Sequence, residues 1–330
     1  MFQWHGRRVL VTGAGGFIAS HLVERLVSEG AQVRAFVRYN SRNEVGFLRE
    51  LSREIFSQLE IIHGDLRDVE AIRSASRNVD TMFHLGALIA IPYSYLHPYE
   101  VIETNIMGTL NVLTAARDLE VRRVVHTSTS EVYGTARYTP IDEAHPLQGQ
   151  SPYSASKIGA DKIAESFYRA FDVPVVTLRP FNTYGPRQSA RAVIPTIITQ
   201  ALTKNEVHLG SLDPWRDFTF VTDTTDGFIR IAEAENILGQ EINIGNSSAI
   251  TIGDLAEKIF AIIGKNVKII TESQRLRPKK SEVLKLHASN QKAQDLIGWK
   301  PKVSLDQGLR TTIEWIKDHL DLYQPDQYTV

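Results

Sequence analysis

The chain of 330 residues contains no cysteine. Its absence excludes disulfides, thiolate metal sites and a cysteine nucleophile. A large charge of one sign is also missing, because 37 lysines and arginines face 38 aspartates and glutamates, for a net charge of −1. Without a global basic field, we expect neither a nucleic-acid partner nor a membrane partner.

Long apolar runs are absent as well, and none reaches the length of a membrane span. The first eight residues lack the pattern of a signal peptide and lead into a short apolar strand, so we expect a cytoplasmic protein. Hydrophobic residues make up 42% of the chain, which is enough to build one large α/β domain or two lobes.

A glycine-rich turn follows the first predicted strand, Val9–Val11. Residues 12–19 read Thr-Gly-Ala-Gly-Gly-Phe-Ile-Ala, and residues 20–29 have the pattern of an amphipathic helix. In this order, such a turn binds a dinucleotide pyrophosphate at the helix N-terminus. Gly13 and Gly16 would let the backbone approach the phosphates, and Ala19 stands where a third glycine is common. A tight turn without a ligand is the alternative.

Further apolar runs predict a Rossmann-type doubly wound parallel sheet in an NADP-binding domain of residues 1–178. The predicted strands are 32–37, 59–62, 82–84, 123–126 and 173–178. A strand near 241–245 would complete the sheet. The rest of 179–330 is predicted to form a smaller α/β lobe that binds mainly the substrate.

The end of the second strand bears on the choice of cofactor. An NAD-binding protein usually has an acidic residue there, and none occurs between Ala31 and Asn43. Arg38 stands at this position and would meet a ribose 2′-phosphate, so the sequence favours NADP over NAD. A solvated surface arginine is the alternative. Asp65, after the third strand, would bind the adenine amino group or cap the next helix.

Two features after the fourth strand suggest buried positions. Residues 88–95 are unusually apolar for a loop, and they would either line a pocket or join the core. A helix is predicted from about Tyr99 to Arg117. Asn105 lies in its interior, where asparagine is unfavourable, which suggests that its side chain makes buried hydrogen bonds.

Candidate catalytic groups follow the fifth strand. Residues 127–134, Thr-Ser-Thr-Ser-Glu-Val-Tyr-Gly, leave its carboxyl end, where ligands of parallel sheets bind. Ser151 and Pro152 then predict a helix start, which places Tyr153 and Lys157 four residues apart on one face. A nearby ammonium favours the phenolate, and lowering a phenol pKa by about three units corresponds to roughly 4 kcal/mol. A buried tyrosine beside an exposed lysine is the alternative.

These motifs together resemble the extended short-chain dehydrogenase/reductase superfamily, and within it the nucleotide-sugar epimerases and dehydratases. The resemblance runs from residue 7 to about 318. It includes Arg-Pro-Phe-Asn-x-Tyr-Gly-Pro-Arg at 179–187. The chain is most similar to LegB-type NDP-N-acetylglucosamine 4,6-dehydratases of nonulosonic acid pathways. That similarity rests on residues 87–94, 148–153 and 185–189.

The resemblance implies roles for the catalytic candidates. Thr129 would bond the sugar O4, Tyr153 would take its proton, and Lys157 would hold the ribose and lower the tyrosine pKa. Glu131 matches the family's base at C5. Ser130 stands where many 4,6-dehydratases have an aspartate as general acid, so Glu131 would serve as both base and acid.

Other reactions stay open at this point. The same Ser-Glu pair occurs in UDP-glucuronate decarboxylases, and 4-epimerisation uses the same scaffold. A non-catalytic NADP sensor is a more remote reading, because a binding module needs none of the catalytic groups. The sequence does not choose between UDP and GDP sugars.

The resemblance also assigns the remaining site residues, with NADP as cofactor, NAD as the alternative and no metal. The further cofactor positions are Phe17, Ile18, Leu66, Leu85, Ala87, Asn105, Thr127 and Pro180. The substrate positions are Ser94, Asn182, Arg191, Ile194, Arg216 and Arg277. Family members pair two helices into a four-helix bundle, which implies a homodimer through residues 99–118 and 153–171.

Overall fold

The computed structural model describes residues 2–323. Met1 and residues 324–330, the two ends of the predicted domains, lie outside the described residues. Within residues 2–323, no helix combines the length and the apolarity needed to cross a bilayer.

A seven-stranded sheet forms the centre of the N-terminal part. Its strands are β1 Arg8–Thr12, β2 Gln32–Arg38, β3 Glu60–Gly64, β4 Thr81–His84, β5 Arg123–Thr127, β6 Val175–Pro180 and β10 Glu241–Ile244. Their order is β10-β6-β5-β4-β1-β2-β3, and every neighbouring pair is parallel. The predicted Rossmann-type sheet is therefore confirmed, and the late strand at 241–244 joins it beside β6.

Helices cover both faces of this sheet. The N-terminal ones are α1 Phe17–Ser28, α2 Arg53–Phe56, α3 Val69–Ala75, α4 Ile91–Leu96, α5 Pro98–Ile102, α6 Gly108–Asp118 and α7 Pro152–Phe171. One core cluster packs α1 and α9 (Val221–Glu233) on one face. Another packs α3, α6 and α7 on the opposite face. This double cover explains the continuous apolar runs of the strands.

The C-terminal part has smaller sheets and its own core. A three-stranded sheet contains β7 Asn182–Tyr184, β9 Trp215–Phe220 and β11 Ala249–Thr251, and a two-stranded sheet pairs β8 Glu206–Leu209 with β12 Lys268–Thr271. Its helices are α8 Val193–Thr203, α10 Ile252–Ile263, α11 Gln291–Ile297 and α12 Leu305–Asp318. Thr251 caps the start of α10, because its hydroxyl accepts from the amide of Asp254.

The apolar segment 88–95 joins the core, which is one of the two roles expected for it, but only residues 88–90 have the irregular backbone of a loop. Residues from Ile91 onward form α4, with Pro92 in its first turn. Ile91 is buried against Val101 and the ring of Tyr153. The segment is therefore part of the core beside a predicted catalytic residue.

The helix predicted from about Tyr99 to Arg117 is interrupted rather than uniform. Residues Glu103–Met107 form a π-helical turn between α5 and α6. Such turns occur often at functional sites. Here the π turn contains Asn105, which is 1% exposed. The expectation that Asn105 makes buried hydrogen bonds is confirmed by its contacts, described below.

Candidate active site

The glycine-rich turn between β1 and α1 leaves no room for a side chain at Gly13. Gly13 has φ +67°, and a Cβ there would lie 2.7 Å from the Cα of Gly86. Gly16 is the N-cap of α1, so the helix starts at Phe17 and not at Ser20 as predicted. The turn holds together by a hydrogen bond from the amide of Gly16 to the carbonyl of Gly13, 2.9 Å. It presents bare backbone at a helix N-terminus, as pyrophosphate binding requires.

A cavity of about 130 Å³ lies beside this turn, at the carboxyl ends of β1 to β4. Five of the predicted cofactor residues line it: Gly13, Arg38, Asp65, Leu66 and Ala87. Asp65 does not cap the following helix, because Asp68 does so. The carboxylate of Asp65 instead accepts from the guanidinium of Arg67, at 2.7 and 3.0 Å, and this hydrogen bond lowers the pKa of Asp65.

Asn105 uses its side chain to fix the backbone next to this cavity. Its Oδ1 accepts from the amide of Leu88 at 2.8 Å, and its Nδ2 donates to the carbonyl of Leu88 at 2.9 Å. The other amide hydrogen goes to Oγ of Ser156 on α7, also at 2.9 Å. Both amide hydrogens of Asn105 are donated to groups of the protein. Asn105 therefore shapes the wall of the cavity more than it offers hydrogen-bond donors to a cofactor.

The predicted catalytic side chains converge on one place. Ser130–Tyr133 form a short 3₁₀ turn capped by Thr129, whose hydroxyl accepts from the amide of Glu131 at 3.2 Å. Tyr153 lies opposite on α7 and is hydrogen-bonded to Thr129. A capping box of Ser151 and Ser154, with Pro152 in the first turn, starts α7 as predicted.

The expected electrostatic pairing of Tyr153 and Lys157 takes a different form. Burial raises the pKa of Tyr153, and the hydrogen bond with Thr129 opposes that rise. Lys157 is not among the groups that shift it. Its Nζ donates to the backbone carbonyl of Thr127 at 2.6 Å, and burial lowers the pKa of Lys157 to about 8. The phenol is therefore protonated in this structure at neutral pH.

The charge of Glu131 acts on two other site residues. It adds to the rise that burial causes in the pKa of Tyr153, and it opposes the fall that burial causes in the pKa of Arg216, a predicted diphosphate ligand on β9. Glu131 is half-buried, whereas its neighbour Ser130 is only 2% exposed. Of the two, the carboxylate is the better placed to handle protons on a bound sugar.

A buried ionic network supports the catalytic turn, and sequence reasoning missed it. Asp161 on α7 accepts from Ser128 Oγ at 2.7 Å, from His126 Nε2 at 3.1 Å, and from Arg179 Nε and Nη2 at 3.1 and 3.0 Å. Arg179 also donates to the hydroxyl of Tyr133 at 3.1 Å. The sequence offered one sign of this network, because Asp161 is an acidic residue on the buried face of α7, one turn after Lys157.

Two predicted substrate arginines meet in the C-terminal part. Arg216 Nη2 donates to Oε1 of Glu282 at 3.2 Å, and Arg277 Nη1 lies 3.7 Å from the same oxygen. Arg216 is 7% exposed, and burial lowers its pKa. The structure therefore brings together two cations at the place where the sequence predicts a diphosphate.

Other predicted substrate residues differ in accessibility. Ser94 is fully buried, and its Oγ donates to the carbonyl of Ile91 at 2.7 Å. Ile194 is also fully buried, in the C-terminal core, so a contact with a nucleotide base would have to come from the backbone around it. Arg191 is exposed and bonds Ser189 Oγ at 3.3 Å.

The remaining cofactor positions lie along the same sheet edge. Phe17 and Ile18 form the first turn of α1, Leu85 follows β4, and Pro180 ends β6. Phe17 packs partly against the C-terminal core, and Ile18 and Leu85 pack against the N-terminal core. All of these positions are near the carboxyl ends of the parallel strands, where nucleotides bind in such sheets.

Three predicted site residues carry buried polar atoms without a hydrogen-bond partner among the described residues. They are Thr127 Oγ1, Asn182 Oδ1 and Arg277 Nη1. Buried polar groups are nearly always satisfied, so such atoms need an explanation. Together with the bare Gly13 turn, they fit a site that a dinucleotide and a nucleotide sugar would complete. Within residues 2–323, no three His, Asp or Glu side chains are grouped as a metal site would require.

The sheet, the glycine-rich turn and the cavity beside it define a Rossmann-like α/β protein. Comparison with known proteins narrows this class. The family model for GDP-mannose 4,6 dehydratase matches residues 10–312. The chain therefore belongs to the extended short-chain dehydrogenase/reductase family of NAD-dependent nucleotide-sugar dehydratases and epimerases.

Relatives within this family have different activities. The chain is 35% identical to UDP-glucuronic acid decarboxylase 2 of Arabidopsis thaliana, over 92% of this chain and 67% of that protein. It is 30% identical to a UDP-glucose 4-epimerase of Mycolicibacterium smegmatis, over 94% and 99%. The structure of DesIV from Streptomyces venezuelae, a dTDP-glucose 4,6-dehydratase with NAD bound, matches with a TM-score of 0.84 and 29% identity, over 96% and 99%.

Proposed function

We propose that the chain is a nucleotide-sugar 4,6-dehydratase that converts an NDP-N-acetylglucosamine, with UDP or GDP, into its 4-keto-6-deoxy sugar. The observation that carries this proposal is the position of Glu131. Its carboxylate shares a turn with Thr129 and acts electrostatically on both Tyr153 and Arg216. Its charge therefore acts on the group expected at the sugar O4 and on the group expected at the diphosphate, which supports a role for Glu131 at the sugar.

The first half of the reaction uses Tyr153. When bound, the nicotinamide cofactor supplies a hydride acceptor for C4 of the sugar and later returns that hydride to C6. Tyr153 takes the O4 proton as C4 becomes a ketone, with Thr129 holding the same oxygen. Because the pKa of Tyr153 is raised by burial, the phenolate must be favoured by positive charge that arrives with the ligands or by rearrangement of Lys157.

The second half uses Glu131. The C4 ketone makes the C5 proton acidic, because the resulting carbanion is an enolate. Glu131 removes this proton and returns it to the C6 hydroxyl, which leaves as water. Ser130 is the weaker candidate for this acid, since it is almost completely buried. Once the hydride is added at C6 of the resulting alkene, C5 takes a proton from solvent by way of Glu131, and Tyr153 releases the O4 proton to solvent.

A decarboxylase is the second candidate, because the most similar of the relatives named above has that activity and the resemblance includes the Ser-Glu pair. Such an enzyme has to accommodate a carboxylate at C6. The two site arginines, Arg216 and Arg277, are paired with Glu282, and Lys157 donates to the carbonyl of Thr127. The apolar helix α4 packs on Tyr153 and contains neither lysine nor arginine. A 4-epimerase needs no base at C5, so the position of Glu131 favours it least.

We propose NADP as the cofactor, with NAD as the alternative. Arg38 ends β2 with its side chain 67% exposed, and it lines the cavity beside the glycine-rich turn. The carboxylate of Glu100 lies 3.5 Å away, at the limit of a hydrogen bond. A ribose 2′-phosphate would be a stronger partner for this guanidinium.

We also propose a homodimer, in the cytoplasm, through the segment 99–118 and α7. The first of these exposes large apolar side chains at Tyr99, Ile102 and Met107. On α7, Phe171 at the C-terminal end is the large apolar side chain that is exposed, and the other exposed positions are smaller or polar, for example Ala155 and Lys162. A monomer by light scattering at micromolar concentration would contradict this assembly.

The experiment that tests the catalytic proposal is Glu131→Gln. This variant should keep NADP and nucleotide-sugar binding, because the amide preserves the shape of the turn, and lose product formation by roughly a hundredfold or more. Slow cofactor reduction should persist, since oxidation at C4 needs only Tyr153. Glu314→Gln, an exposed change on α12, is the control for loss of one charge. Near-normal turnover of the Glu131 variant would remove this residue from the mechanism.

A further inference from the structure

The two arginines predicted to bind the diphosphate share a single carboxylate of the protein. Arg216 and Arg277 both approach Oε1 of Glu282, at 3.2 and 3.7 Å. The side chains of Arg216 and Glu282 are 8% and 17% exposed, so water screens this pair poorly. Glu282 was not among the residues singled out from the sequence.

The contacts in this cluster are unequal. Two guanidinium groups approach one carboxylate oxygen, and Glu131 adds a second negative charge that acts on Arg216. Arg277 Nη1 is buried and makes no hydrogen bond within the described residues. A buried donor without a partner is costly, which indicates that a second acceptor completes the cluster. A diphosphate has oxygens enough for both arginines.

The backbone that carries Glu282 is anchored to the catalytic half of the protein. The amides of Ser281 and Glu282 donate to the carbonyl of Pro278, which closes a tight turn directly after Arg277. Ser281 Oγ is hydrogen-bonded to the Tyr95 hydroxyl at 2.6 Å, and it also donates to the carbonyl of Gln150. The backbone of Glu282 is therefore held, and its carboxylate can leave the arginines only by rotation of the side chain.

We propose that Glu282 is a competing counter-ion, which pairs the diphosphate-binding arginines when no substrate is bound and which the diphosphate must displace. This inference rests on the proposed function. If Glu282 stayed in place, three negative charges would face two positive ones, because each phosphate of a nucleotide sugar carries one. Like-charge repulsion in a poorly hydrated site disfavours that arrangement. The ion pair therefore stabilises the free protein and weakens the binding of substrate and of released nucleotide.

This role predicts a gain of affinity when the negative charge is removed. Glu282→Gln keeps the size of the side chain and a weaker hydrogen bond to Arg216. The diphosphate then no longer has to break a charge-assisted pair. Such hydrogen bonds contribute at least about 1.5 kcal/mol, which corresponds to roughly tenfold in affinity.

The test is isothermal titration calorimetry with UDP and GDP, and with UMP and GMP as probes that lack the β-phosphate. The variant should bind the preferred diphosphate roughly tenfold more tightly than the unmodified protein, with a smaller gain for the monophosphate. Glu272→Gln is the matched control, because Glu272 pairs with Arg275 and His208 and not with the two site arginines. Its affinity should not change. Thermal melts verify that each variant is folded. Glu282→Gln should have a lower melting temperature than the unmodified protein without ligand, and its melting temperature should increase more when the diphosphate is added.

The possible results of this titration distinguish failure of the inference about Glu282 from failure of the proposed function. Unchanged or weaker diphosphate binding by folded Glu282→Gln would overturn this inference alone, because Glu282 would then position the arginines for substrate. An equal gain for mono- and diphosphates would overturn it as well, since the carboxylate would not occupy the diphosphate position. If the unmodified protein binds neither UDP nor GDP, the inference fails together with the proposed function.

Discussion

The buried network around Asp161 should make a large contribution to stability. Asp161 is 3% exposed and accepts hydrogen bonds from Arg179, His126 and Ser128. Burial alone would raise its pKa, but the hydrogen bond from His126 and the charge of Arg179 lower the pKa to about 2. The carboxylate is thus more stable in the folded protein than in water. We predict that Asp161→Asn strongly destabilises the fold.

The magnitude follows from the partners that the change leaves behind. Removing one member of a buried ion pair typically costs about 3–5 kcal/mol, because the other charge remains buried. Arg179 would keep the Tyr133 hydroxyl at 3.1 Å and the carboxylate of Glu241 at 3.8 Å, which offset only part of the loss. The pKa decrease from 3.8 to about 2 has the same sign and corresponds to roughly 2.5 kcal/mol, a little below this range, since each pKa unit corresponds to about 1.4 kcal/mol.

Urea unfolding followed by circular dichroism measures this prediction. Asp161→Asn should lower the free energy of unfolding by about 3–5 kcal/mol, whereas the exposed change Asp118→Asn should cost less than about 1 kcal/mol. The double variant Asp161→Asn with Arg179→Met should lose less than the sum of the single changes, because no unpaired guanidinium remains. A cost below about 1 kcal/mol for Asp161→Asn, or simple additivity, would refute the reasoning. The stabilisation from this carboxylate is present above pH about 4 and is lost as the pH falls through about 2, since its folded pKa is the lower one.

Three further predictions concern the cofactor. Arg38→Ala should weaken NADP binding by roughly tenfold to a hundredfold and leave NAD binding unchanged in calorimetry, and equal effects on both would contradict the 2′-phosphate contact. Gly13→Ala should abolish cofactor binding, because its Cβ would lie 2.7 Å from Gly86 Cα. Gly264 has φ +76° but open space around it, so Gly264→Ala should lower the free energy of unfolding by only about 1–2 kcal/mol and leave cofactor binding normal. NADP affinity should fall as pH rises through about 8, where Lys157 loses its charge, and the Lys157→Met variant should show no such pH dependence.

Local chemistry made much of the framework predictable. The start of α7 follows from Ser151 and Pro152, whose capping and φ preferences act within four residues. The strands follow from β-branched runs such as Val9–Val11, which suit a sheet covered on both faces. The late strand at 241–244 is also predicted correctly, although Glu-Ile-Asn-Ile alternates polar and apolar residues and its Asn243 is buried.

Features that depend on distant partners were not predictable in the same way. The loop pattern of the segment 88–95 extends only to residue 90, and α4 begins at Ile91, which packs against Val101 and Tyr153. Pro92 was the one local signal for that helix. The hydrogen-bond networks around Asp161 and Glu282 depend still more on tertiary structure. Asp161 binds residues from other parts of the chain, and Glu282 binds an arginine 66 residues away.

The interaction of Lys157 shows a further limit of spacing arguments. Four residues on a helix place Tyr153 and Lys157 on one face, as predicted, but do not determine where the flexible ammonium goes. In the structure it binds the carbonyl of Thr127, because a buried ammonium needs an acceptor. The sequence therefore identified both residues as neighbours without determining their electrostatic coupling.

The most direct measurement of the central claim is mass spectrometry of nucleotide sugars after incubation with the protein and NADP or NAD. A panel of UDP- and GDP-N-acetylglucosamine, UDP-glucose and UDP-glucuronate covers the competing reactions. We predict that one N-acetylglucosamine nucleotide gives a product lighter by one water, and that Glu131→Gln abolishes it. A product of unchanged mass would indicate epimerisation, and carbon dioxide release from UDP-glucuronate would indicate decarboxylation. Either result, without a dehydrated product from the N-acetylglucosamine nucleotides, would contradict the proposed reaction.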